Sequence, residues 1–273
     1  MISILSLITL LSIINNSQSF ELGYWRGTTY SYFKGYNENK INFNKPQTTI
    51  YSRFDLLNLL DTYKINKINN SVPLLDDNYL HLQLQSYDKI GGVIVKVKKE
   101  VDFNNDFTNE INFFYNSARS IITFSYKKII DKYKLDLSSV HISAFRCGLV
   151  KSYSNREKLY NLTTIIDKVN KWSYCKTTFI NTKTPNDKKI SFTNEYDYKH
   201  LLINEKRITQ IFTDNIVISL PKTIDDYKPF SLLIGCLISS NCYKQLNLNY
   251  NFNGVLISIE FNEYEPYQLR NTH

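Results

Sequence analysis

Alanine is nearly absent. Ala118 and Ala144 are the only two in 273 residues, and a chain so short of the best helix former is not an all-helical protein. Gly (8) and Pro (6) are too few for a collagen-like chain. Beyond the extreme N-terminus no apolar run approaches bilayer-spanning length, which excludes a multi-span helical membrane protein. No Cys-x-x-Cys spacing occurs, so a structural zinc site is not expected. The sequence also lacks Gly-x-Ser-x-Gly, His-Glu-x-x-His and any phosphate-cradling glycine loop. Arg, the residue preferred for reading bases, occurs seven times. The net charge of +8 is spread as lysines among Asp and Glu, and no nucleic-acid partner is expected. The one dense stretch, Lys96-Val97-Lys98-Lys99, reads as the solvated end of a strand.

In place of helix formers the chain carries 21 Tyr and 16 Phe together with abundant Ile, Thr and Asn, the composition of half-buried strands. Period-two or short apolar runs fall at Gly23–Phe33, Gln47–Arg53, Tyr79–Gln85, Gly92–Lys98, Ile111–Phe114, Ser120–Tyr126 and His141–Val150. They continue at Lys158–Ile166, Tyr174–Ile180, Ile208–Phe212, Asn215–Leu220, Phe230–Ile238, Tyr243–Tyr250 and Val255–Phe261. Leu80, Leu82 and Leu84 alternate with His81, Gln83 and Gln85, so every Leu shares one face. Asn253-Gly254 between two alternating runs predicts a hairpin turn. Asp55–Tyr63 and Tyr126–Leu137 are the segments expected to form short helices. Many short strands at near-regular spacing predict an all-β antiparallel barrel or sandwich.

Ile2–Ile14 is uncharged and apolar, then Asn15-Asn16-Ser17 and Ser19 follow. This reads as a signal peptide over residues 1–19 with cleavage before Phe20; a signal anchor is the alternative. The mature chain then enters the secretory route, to remain there, leave the cell, or pass on to an organelle such as a complex plastid. No stable membrane span is expected after cleavage. Cys147, Cys175, Cys236 and Cys242 suit an oxidising compartment. Cys236 with Cys242 across a hairpin would leave Cys147 with Cys175, and buried thiols are the alternative. Asn69 and Asn161 are glycosylation sequons.

Phe145–Ser152 can be laid over Leu232–Ser239 at a constant offset, a faint repeat. With a break in the polar stretch Asp167–Lys171, it divides the mature chain into units 20–168 and 169–273, the second smaller.

Gly23-Tyr24-Trp25-Arg26-Gly27 on the first strand is similar to the Gly-x-Trp opening of lipocalin-like (calycin) barrels. Near the C-terminus come Asn215–Leu220 and Pro221, then Lys228-Pro229-Phe230, Gly235, Gln245-Leu246, Tyr250, Gly254 and Val255. Their order resembles the end of a double-calycin family of unknown function from photosynthetic lineages. The resemblance covers residues 20–53 and 140–265. The second unit has only Lys171-Trp172 where its own Gly-x-Trp would stand. The resemblance implies a duplicated barrel holding a hydrophobic or tetrapyrrole-like molecule, with Trp25 closing one end. Arg26 or a later Arg would lie near it as a cation–π partner. Plain core for Trp25 and an ordinary strand position for Arg26 are the alternatives.

The expected function is non-enzymatic binding of a hydrophobic small molecule, with no cofactor. A barrel lyase or cyclase acting on such a molecule, and a secreted structural or interaction protein, are the other readings. His81 reads as a rim residue, and His141 has no sequence spacing that makes it a base for a neighbouring nucleophile. Asp76-Asp77 and Asp225-Asp226 read as turn acids.

Overall fold

The computed structural model describes residues 25–34, 47–54, 78–86, 91–115, 118–129, 133–147, 174–184, 187–193, 206–212, 215–239 and 242–265. Residues 1–19, the segments Asp55–Tyr63 and Lys158–Ile166, the sequons Asn69 and Asn161, and the break at Asp167–Lys171 lie outside them.

The described residues form strands and no α-helix. The first seven are β1 (Trp25–Phe33), β2 (Gln47–Phe54), β3 (Tyr79–Gln85), β4 (Gly91–Lys98), β5 (Phe107–Tyr115), β6 (Ala118–Lys128) and β7 (Lys134–Cys147). Then come β8 (Tyr174–Asn181), β9 (Lys188–Thr193), β10 (Arg207–Phe212), β11 (Ile216–Pro221) and β12 (Thr223–Asp225). The last are β13 (Phe230–Ser239), β14 (Cys242–Tyr250) and β15 (Leu256–Glu265). All pairings are antiparallel.

The expected helix at Tyr126–Leu137 is instead the turn of a hairpin. β6 runs on to Lys128 and β7 starts at Lys134, pairing Tyr126 with Leu137 and Lys128 with Leu135. Tyr126, Leu135 and Leu137 are all buried on one face, and that period-two burial outweighs the weak helical preference of the Lys-rich stretch between them.

The first sheet runs β2-β1-β7-β6-β5-β4-β3 and the second β10-β11-β13-β14-β15-β8-β9. Both orders follow one rule. Consecutive strands of each sheet are neighbours, the first strand pairs with the last, and the ladder breaks between the second strand and the third. Between β11 and β13 of the second sheet, β12 crosses over and pairs with β7 as an eighth strand of the first. Among the described residues neither sheet closes on itself.

Each sheet turns one apolar face toward the other. On the first, Leu82, Val95, Ile111, Ile122 and Ile142 follow one another across five strands. On the second, Ile218, Ile234, Leu246, Phe261 and Thr178 do the same. Residues of both sheets belong to one hydrophobic cluster. The rings of Tyr32 and Phe212 meet edge-on across the interface with centroids 5.0 Å apart. Val95, Ile111, Ile122, Leu246, Leu248 and Phe261 are 0% exposed, so none of them borders space that a water molecule could enter. Polar links reinforce the contact. Tyr250 Oη donates to the Lys98 carbonyl at 2.9 Å, and the amides of Val101 and Leu256 donate across the seam to Gly254 and Lys99.

The Asn253-Gly254 turn forms as expected, with Gly254 at φ 73°. Asn251 Oδ1 accepts the amides of Asn253 and Val255. A Cβ on Gly254 would lie 3.0 Å from the Val101 carbonyl, so the turn needs glycine for both its dihedral and its fit. The repeat suggested by Phe145–Ser152 over Leu232–Ser239 matches β7 with β13, whereas the strand order makes β15 the counterpart of β7. The likeness between the two sheets lies in their connectivity, not in those identities.

Candidate ligand-binding faces

Strand alternation gives each sheet a second face, turned away from the shared core. These outer faces mix polar with apolar side chains and are graded in burial.

On the first sheet, one register row holds Phe145, Arg119, Phe114 and Gly92 on β7, β6, β5 and β4. The described side chains of this row are buried, Arg119 at 6% exposure. Arg119 Nε donates to Asn112 Oδ1 at 3.0 Å. The next row carries Ser143, Ile121, Asn112 and Ile94, of which all but Asn112 are half-buried. In the row beyond, Ser31, His141 and Thr123 are half-buried while Glu110, Lys96 and His81 are exposed. Burial thus deepens toward Arg119, where an always-charged guanidinium stands between two phenyl rings in register. A Cβ on Gly92 would fall 2.2 Å from the Leu84 carbonyl and 2.8 Å from the Phe114 ring, so the row is packed to contact there.

Register sets Trp25 opposite Cys147 and Arg26 opposite Arg146, at this same buried end. Their side chains lie outside the described residues. His141 Nδ1 lies 2.9 Å from Ser31 Oγ, and burial holds its pKa below the ordinary histidine value. His81 is exposed. Lys96 and Lys98 sit over the Tyr79 ring, 5.7 and 4.9 Å from its centroid.

The second sheet repeats the gradient in the same sense along its strands. At the buried end lie Leu237, Tyr243, Tyr264 and Cys175, the two tyrosine rings stacked at 5.7 Å. Burial raises the Cys175 thiol pKa. From there a ladder of side-chain hydrogen bonds runs outward. Tyr243 Oη donates to Gln245 Oε1 at 3.3 Å, and Gln245 Nε2 to Asn247 Oδ1 at 3.1 Å. Asn247 Nδ2 then donates to Glu260 Oε2 at 3.2 Å, and Asn249 Nδ2 to Glu260 Oε1 at 3.1 Å. Thr177 Oγ1 donates to Asn262 Oδ1 at 2.6 Å. Glu260, Asn249, Thr177 and Phe179 are half-buried.

The thiols do not pair as the hairpin reading expected. The regular β13–β14 register sets Cys236 opposite Lys244, and past a bulge between Leu237 and Ser239 Cys242 stands opposite Ser239. Cys175, Cys236 and Cys242 are buried thiols, so the complementary bridge from Cys147 to Cys175 is not formed either. Asp225 ends β12 in ion pairs with Lys134 at 2.9 Å and Lys228 at 2.8 Å; these two lysines hold its carboxyl below the usual range. A half-open groove of about 710 Å³ runs past Asp102, Asp106, Tyr133 and Tyr227. Its acids serve the local turn: Asp102 accepts from Asn104 N and Asn105 Nδ2, and Asp106 from Lys128 N. Among the described residues no group of His, Cys, Asp and Glu side chains could hold a metal ion.

Sequence reasoning missed Arg119, Glu260 and the buried charges Lys176, Lys244 and Glu263. Nothing in an isolated run such as Ala118-Arg119-Ser120 says that its Arg lies under cover. The alternation of Leu246 and Leu248 with Gln245, Asn247 and Asn249 did carry a signal for the amide ladder: polar side chains shared by one face of a central strand.

No protein-family model matches this chain, and no curated protein does. Among solved structures, a protein of unknown function from the DUF3598 family of Nostoc punctiforme is similar at 10% identity and a TM-score of 0.51. That match covers 90% of this chain and 96% of the Nostoc protein. An N-terminal dehydratase from the difficidin assembly line aligns at a TM-score of 0.14 and 7% identity, too low to carry any argument. The chain therefore shares its all-β antiparallel fold with a cyanobacterial protein of unknown function.

Proposed function

We propose that this is a non-enzymatic binding protein that holds a hydrophobic molecule with an acidic group on the outer face of its first sheet. The observation that carries the reading is Arg119, buried in register between Phe114 and Phe145. Half-buried Ile121 and Ile94 lie in the adjoining row, at the approach to it. Binding sites for such ligands are largely apolar with a few placed polar groups, and a guanidinium is the preferred partner of a carboxylate. The filled core between the sheets leaves no room among its fully buried side chains, so the ligand belongs on the outer face. Tetrapyrroles, with apolar rings and carboxylate arms, have the required chemistry.

The same reading takes the chain as two calycin-like units, 20–168 and 169–273, behind a signal peptide at 1–19. The common strand order of the sheets and the matching burial gradients support two units. The apolar run Ile2–Ile14 supports the secretory route.

Native mass spectrometry of the purified protein, followed by titration with protoporphyrin IX, tests the binding. Arg119→Met keeps the apolar bulk and removes the charge. It should weaken binding by about tenfold or more, the worth of one charge-assisted hydrogen bond. Equal affinity in the two proteins, or binding of neither protoporphyrin IX nor a long-chain fatty acid, would overturn the reading.

A further inference from the structure

The outer face of the second sheet differs in chemistry from that of the first, and its half-open part has the groups that grip a ring of hydroxyls. Glu260 is the focus. Each of its carboxylate oxygens accepts one amide hydrogen bond, from Asn247 and from Asn249. A carboxylate offers about four acceptor positions, so about half remain, and the side chain is half-exposed. The two amides fix the plane of the carboxylate and leave its outward lone pairs as a preset double acceptor.

The surroundings complete the pattern. Phe179 stands opposite Glu260 on β8 and is half-buried, an aromatic plate beside the acceptor. Asn262 and Thr177 form the next pair along the same two strands. Asn262, 5% exposed at the closed end of the patch, takes the Thr177 hydroxyl on its oxygen, which leaves its amide nitrogen as a donor at the floor of the patch. Neighbouring strands lie about 4.8 Å apart, and same-face residues about 6.7 Å apart along a strand. Acceptor, donor and aromatic plate therefore sit within the span of one six-membered sugar ring.

We infer that this patch is a second binding site, for a neutral polyhydroxylated ring such as a monosaccharide unit. Two vicinal hydroxyls donate to Glu260, a third oxygen accepts from Asn262 Nδ2, and the apolar C–H face of the ring lies on Phe179. Neutral hydroxyl-rich ligands fit better than organic cations, because Lys189 stands opposite Phe179 on the next strand and would repel them. The site does not depend on Arg119, which belongs to the other sheet.

Saturation-transfer difference NMR on the full chain, with glucose, galactose and mannose as separate probes, tests this. Transfer to the ring protons of at least one sugar is expected. Glu260→Gln keeps the shape and weakens the acceptor, and should cut the signal by about tenfold; Phe179→Leu removes the aromatic plate and should weaken the signal as well. Thermal melting of each variant and retained protoporphyrin IX binding show that the fold and the first site are intact. Should Glu260→Gln not fold, Phe179→Leu and Asn262→Asp carry the test. No transfer to any of the three sugars in the unaltered protein overturns the proposal. So does transfer undiminished in the folded variants, or displacement of the sugar by tetramethylammonium.

Discussion

The hydroxyl of Tyr126 on β6 donates to the carbonyl of Pro221 on β11 at 2.8 Å, joining positions 95 residues apart across the seam between the sheets. Pro221 ends its strand, beyond the last β11–β13 pair at Ser219 and Leu233, and its carbonyl takes this bond from the facing layer. The ring above it is wholly buried and stacks on Phe107 at 5.1 Å.

Tyr126→Phe should therefore destabilise the protein by about 1–2 kcal/mol, since it removes the donor and leaves a buried carbonyl. Burial raises the pKa of Tyr126 far above the tyrosine norm, and raises that of Tyr250 as well. In the unfolded chain both ionise near their ordinary value of about 10. Their contribution is thus complete below about pH 10 and is lost as pH rises above it. Urea midpoints measured on both sides of that value should be flat below and fall above. A midpoint that climbed with alkali would contradict the burial.

Gly235 faces the ring of Tyr243, and a Cβ there would lie 2.1 Å from the hydroxyl oxygen and 2.5 Å from Cζ. That ring is fully buried and cannot swing clear. Gly235→Ala should cost about 1–3 kcal/mol by overpacking. Combined with Tyr243→Leu, which vacates the space, it should cost less than the two changes summed. Additive losses in a double-mutant cycle would rule out the steric cause.

Glu263 lies 3.3 Å from Lys176 Nζ and 4.0 Å from Lys244 Nζ, all three almost fully buried. Lys244 also donates to Ser86 Oγ of the first sheet. Glu263→Gln takes a carboxylate away from two buried ammonium groups and should destabilise by about 3–5 kcal/mol. Lys34→Met at the half-exposed pair with Asp136, 2.6 Å apart, should cost about 0–1 kcal/mol. Chemical denaturation of both variants checks the contrast.

Much of the architecture was legible where one face of a strand is apolar and the other polar. The run Tyr79–Gln85, with its alternation from Leu80 on, marked β3 to the residue, and Asn253-Gly254 marked its turn. β9 and β12 escaped. Lys188–Thr193 is exposed along its described length and so has no buried face to imprint a period. Thr223–Asp225 is too short to show one, and its strand character comes from a partner far away in sequence. The outer-face chemistry was less visible still. Arg119, Glu260 and Phe179 come from distant parts of the chain, and only the register of β6, β15 and β8 gives each its neighbours.

The placement of β12 constrains how the molecule can be made. Residues 223–225 bond to positions 134–136 of β7, the Thr223 hydroxyl capping Asp136 at 2.9 Å. A ribosome delivers the first seven strands well before this three-residue splint emerges. Until then that length of β7, paired with β6 on one edge, waits with its other edge uncovered, so the leading half lacks its last strand. A gene cut between the halves would yield a fragment with an open seam, prone to recruit a stray strand from another copy.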